Sequence, residues 1–175
     1  RSCLRMPVAP MTLRSLARQT SLTVSATRLV ITALNGGANP TAGTAFSVTI
    51  QNQNAGGTPV NVTANTGVGL SRSAGTGTLG GTTAGTITNG TSSVTISGVT
   101  YTKAESGVVL TAARTSGNTV VSGASAPFTV NPGVATKLAV TSVNGGSAGT
   151  AGTSFPVVVQ SQDANGNASN VTADT

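Results

Sequence analysis

Histidine and tryptophan are absent from this chain, cysteine occurs once, and only three of 175 residues are acidic. Without histidine there is no Ser/His/Asp triad and no imidazole metal site. A lone Cys3 forms no intrachain disulfide and has no histidine to activate it. The acids Glu105, Asp163 and Asp174 fall in different contexts, so a glycosidase carboxylate pair is unsupported. One Tyr and three Phe provide no aromatic platform for nucleic-acid bases. No run of 18 apolar residues is present, which removes a helical membrane span. Enzyme chemistry is therefore not expected.

The net charge of +6 is concentrated rather than patterned. Arg1, Arg5, Arg14 and Arg18 lie within the first 25 residues. Arg28, Arg72, Lys103, Arg114 and Lys137 are scattered over the rest, and a nucleic-acid partner requires a basic stripe. None is expected. Solubility instead rests on Thr, Ser, Asn and Gly, residues suited to alternating strands and tight turns and poor in helix interiors.

What the chain does contain is a repeat. Residues 26–66 recur at 135–175, with 22 of 41 aligned positions identical and no gap, an offset of 109 positions. A period of that size matches a β-sandwich unit and exceeds any helical solenoid repeat. Residues 1–25 do not share it and are expected to be a non-repeat N-terminal segment, disordered or an artefact of the boundary. The unit proper is expected at 26–133, closed by an Asn131-Pro132-Gly133 linker. Residues 134–175 read as the truncated start of a second unit, unable to close a sandwich alone.

Strand signals recur through 26–133. Leu29 and Ile31 face inward on a first strand, and Phe46, Val48 and Ile50 alternate with polar neighbours on a second. Val68 and Leu70 lie on a strand over 67–72. The Asn89-Gly90 pair predicts a hairpin joining strands near 86–88 and 92–97. Val99 and Tyr101 are expected in the core, 103–106 in a loop, and Val108, Leu110 and Ala112 on a central strand. Phe128 and Val130 are expected to be buried on the last strand. The total is seven or eight strands in an antiparallel β-sandwich.

The segments Leu29–Thr32, Thr41–Thr44 and Gln162–Asn167, with the order of 77–82, 94–99, 107–112 and 126–130, carry a family resemblance. Over about 26–175 the chain resembles the tandem immunoglobulin-like repeats of giant bacterial surface proteins, which are similar to invasin- and filamin-type sandwiches. The resemblance implies an extracellular or cell-surface spacer or adhesive stalk, with neighbouring repeats of the same chain as partners. It brings no catalytic residues and no cofactor. A ligand- or glycan-binding module is the alternative, with Tyr101 its one candidate aromatic of the right kind; an accessory module beside a catalytic domain is another.

Two smaller constellations remain. Asp163, Asn165 and Asn167 have the D-x-N-x-N opening of a calcium loop, without the downstream glutamate. The same residues suit a β-turn with Asn-Gly at its tip. Calcium is thus the one metal that the sequence suggests. Lys103 and Glu105 read as a solvated ion pair rather than as part of a Lys–Asn crosslink.

Overall fold

The computed structural model describes residues 27–171. The expectation for 1–25 lies outside these residues. The described chain is all-β, with antiparallel sheets. One sheet orders its strands β1 (Arg28–Leu34), β2 (Phe46–Gln53), β6 (Ser93–Tyr101), β4 (Leu79–Gly81). The other runs β5 (Ala84–Ile87), β3 (Thr66–Ala74), β7 (Glu105–Arg114), with β8 (Gly123–Ala124) and β9 (Phe128–Val130) along the free edge of β7. A separate antiparallel pair, β10 (Lys137–Val143) and β11 (Val157–Gln162), belongs to the second copy.

Alternation along the strands places the core between the two larger sheets, consistent with a β-sandwich. Leu29, Val48, Ile50, Ile96 and Val99 from one sheet meet Val68, Ile87, Val108, Leu110 and Ala112 from the other, all buried. Each Val, Leu or Ile among them contributes about 1.5–3 kcal/mol relative to exposure. Tyr101 is fully buried and Val130 nearly so.

Several local expectations are corrected. Asn89-Gly90 does not close a hairpin, because β5 pairs with β3 and β6 with β2 and β4. The turn bonds Thr91 N to Thr88 O with Gly90 at φ 81°, and it carries the chain from one sheet to the other. Of the two central residues only Gly90 has positive φ, the type II demand; the I′ hairpin turn needs it at both. Glu105 and Ser106 are not loop: they open β7, because Glu105 pairs with Val130 on β9. Phe128 is only half-buried on that short edge strand. Nine strands make up the first unit, against seven or eight expected. β8 and β9 lie end to end on β7, and between them stands Pro127, which has no N–H for the ladder.

β1 also reaches across to the second sheet. Leu29 N donates to Val121 O at 2.8 Å and Val121 N to Thr27 O at 2.9 Å, while Ala42 N bonds Asn131 O at the other end. Gly123 sits where this crossing is tightest: a Cβ there would lie 1.8 Å from the Leu29 carbonyl oxygen. Entry at Thr27 therefore lies at one end of β1, whose seven extended residues span about 23 Å, and the exit at Asn131 is bonded to Pro40 and Ala42 in the loop that follows its other end.

The sequence repeat is also a backbone repeat. Asn35 and Asn144 both adopt positive φ, 47° and 50°, in matching 3-10 turns. The β1–β2 register slips between Ile31 and Ala33, and the β10–β11 register slips between Val140 and Ser142. What differs is coverage. Leu29, Phe46 and Ile50 are 0%, 5% and 0% exposed, whereas their counterparts Leu138, Phe155 and Val159 are 72%, 48% and 54% exposed. Among the described residues, the second copy has the first sheet's hairpin without a second sheet over it.

Candidate functional site at the joint between units

The 163–167 loop follows β11 and turns back onto the end of the first unit. Its fold is local in origin. Asp163 Oδ1 accepts the amides of Asn165 and Asn167, each at 2.9 Å, the Asx geometry that Asp favours in turns. Gly166, at φ 87°, completes the reversal with its N–H on Asp163 O.

The other carboxylate oxygen reaches outward. Asp163 Oδ2 accepts Gly133 N at 2.9 Å and Asn167 Nδ2 at 2.8 Å. Asn167 then spans the two units: its Nδ2 also donates to Thr102 O at 3.0 Å, and its Oδ1 accepts Ala104 N at 2.9 Å. Ser169 Oγ donates to Gly133 O. Asn165 packs against Gly43, where an added Cβ would come within 2.3 Å of its Nδ2. Asp163 is 1% exposed. Burial pushes its pKa up, but the hydrogen bonds from Asn167, Gly133 and Asn165 outweigh this and hold it below the usual value.

The three calcium candidates are thus brought together, in an arrangement that does not fit the ion. An ionised carboxylate offers about four lone-pair positions. Four N–H donors fill them on Asp163, and the Asn167 carbonyl is engaged by Ala104. Among the described residues no cluster of three or more His, Cys, Asp or Glu side chains is present.

Glu105 braces the loop that receives Asn167. Its Oε1 accepts the Tyr101 hydroxyl at 2.6 Å, Thr76 N at 2.7 Å and Gly77 N at 2.9 Å. Its Oε2 accepts Thr76 Oγ1 at 2.8 Å and lies 3.6 Å from Lys103 Nζ, which also donates to Thr76 Oγ1. The pair expected here is the outer edge of a wider, part-buried network: the Lys103 side chain is 51% exposed and that of Glu105 16%. The Tyr101 hydroxyl and the Thr76 amide hold Glu105 well below the usual carboxylate range. Burial and then the Glu105 hydrogen bond push the Tyr101 hydroxyl up to about 12. Sequence reading missed this network because Thr76 and Gly77 are 28–29 residues from Glu105.

The scattered cations mostly bond nearby carbonyls. Arg72 reaches Gly75 O, Arg114 reaches Gly117 O at 3.2 Å, and Lys137 reaches Ala164 O at 3.4 Å. An open cleft of about 530 Å³ beside the joint is lined by Lys103, Glu105, Asn131, Pro132 and Asn167 among others. Its single ion pair is internally compensated. None of the described helices is long and apolar enough to cross a membrane. No protein-family model matches the sequence, and no curated protein matches it.

Proposed function

We propose that this chain is a non-enzymatic structural repeat of immunoglobulin-like type, a spacer or stalk element of a large extracellular bacterial protein. The observation that carries this reading is the recurrence, 109 residues apart, of the same turn, the same register slip and the same left-handed asparagine. Chain entry at one end of β1 and exit beside the loop that follows its other end make each unit add length instead of folding back. Glu105 and Asp163, the carboxylates among the described residues, both have their oxygens occupied by donors, which leaves neither poised as a general base. Tyr101, on which a glycan-binding reading leaned, is buried.

The test combines stretching with binding. Pulled from its ends, the chain is expected to release the first unit in one step. Arg28–Val130 would then lengthen by roughly 340–370 Å, less the short folded span. On glycan and protein arrays it is expected to give no saturable binding. A specific ligand held by the 27–131 unit, or turnover of any substrate, would overturn the spacer reading.

A further inference from the structure

We infer that the end of the first unit is a socket for the 163–169 loop of the second copy, and that the side chains of this loop select which repeat can dock there. The inference rests on reading the two copies as successive units. The socket is made almost wholly of backbone: the Thr102 carbonyl, the Ala104 and Gly133 amides, the Gly133 carbonyl and the bare Cα of Gly43. Backbone groups alone do not discriminate, so the choice of partner falls to the plug.

The first copy carries the same loop with the plug removed. The backbone bonds match pair by pair. Gly57 N reaches Asn54 O at 3.0 Å as Gly166 N reaches Asp163 O at 3.1 Å. Thr58 N reaches Asn54 Oδ1 at 3.0 Å as Asn167 N reaches Asp163 Oδ1 at 2.9 Å. Yet each position that touches the socket has changed: Asp163 stands where the first copy has Asn54, Asn165 where it has Gly56, Asn167 where it has Thr58, and Ser169 where it has Val60. An amide at 163 turns donors toward the Gly133 N–H. Threonine at 167 is too short to span to Thr102 and Ala104, and valine at 169 has no proton to donate. The 54–60 loop therefore cannot fill such a socket. Stiff and loose joints are written by four side chains on one backbone.

Amide hydrogen exchange on the whole chain tests this. Ala104 and Gly133 are expected to be protected in the native protein, unchanged by calcium or by EDTA. Asp163→Asn, Asn165→Gly, Asn167→Thr and Ser169→Val together place the first copy's side chains at the four positions that touch the socket, with Ala168 kept. They are expected to speed exchange at Ala104 and Gly133 at least tenfold. Residue 167, whose amide bonds within the loop, should keep its protection for as long as the β10–β11 ladder persists. Should that ladder be lost in the fourfold variant, Asn167→Thr alone decides the question by opening Ala104 with the ladder intact. Native-like protection of Ala104 in that single variant, no protection in the native protein, or protection that appears only with calcium would each overturn the assignment. A ligand found elsewhere on the first unit would end the spacer reading and leave these two exchange rates untouched.

Discussion

Glu105 gathers a hydroxyl and two amides on one oxygen and a hydroxyl with an ammonium on the other. Replacing it with Gln would put an NH2 among donors that need an acceptor, at a cost of about 1–3 kcal/mol, the penalty for stranded buried polar groups. Tyr101→Phe is milder, about 0.5–1.5 kcal/mol, because the Thr76 and Gly77 amides keep Glu105 as acceptor. Urea midpoints of the two variants at neutral pH check the order. The depressed pKa of Glu105 adds a pH signature. A carboxyl held below its unfolded value of about 4.3 stabilises the fold fully above that value and loses its contribution as the pH falls further. The native protein is expected to lose stability on acidification from about pH 5 downward. Glu105→Gln should show a shallower acid limb. Equal slopes would mean that Glu105 is not the group responsible.

At the scale of elements, the crossing of β1 between the two sheets is the tightest fit in the first unit. Gly123→Ala places a methyl against the Leu29 carbonyl, which is backbone in a strand held on its other side by the β1–β2 ladder. Overpacking of this kind costs typically 1–3 kcal/mol, and a matching fall in the urea midpoint is the expected result. This crossing marks the limit of what sequence reading reached. Period-two alternation identified Phe46, Val48, Ile50, Val108, Leu110 and Ala112 as inward, because facing depends only on the strand itself. Which strand pairs with which does not. The residues around Asn89-Gly90 look like a hairpin locally, and the partners of β5 and β6 are chosen by core burial on opposite sheets. The 163–167 loop was legible as a turn from its Asx and Gly chemistry. Its role in the joint was not, since Thr102 and Ala104 lie more than 60 residues from Asn167 and contribute only main-chain atoms.

For the whole molecule, the two copies have the same local design and unequal means of holding it. The first unit closes apolar faces from two sheets over one core, whereas β10 and β11 leave Leu138, Val140, Val157 and Val159 half or more exposed. A two-stranded hairpin is at best marginal in water, so its persistence depends on the hydrogen bonds that seat the 163–169 loop. Unfolding is then expected in two stages. Amide signals from Lys137–Gln162 should fade at lower urea than those of Arg28–Val130, with separate midpoints in place of one shared transition. Gly123→Ala should move the later midpoint directly. The hairpin stage should follow it down only once the socket itself begins to melt, because the plug can hold no longer than the loops that receive it. A single coincident transition for both copies would mean that the joint binds the hairpin into the first unit as one cooperative body, against the two stages expected.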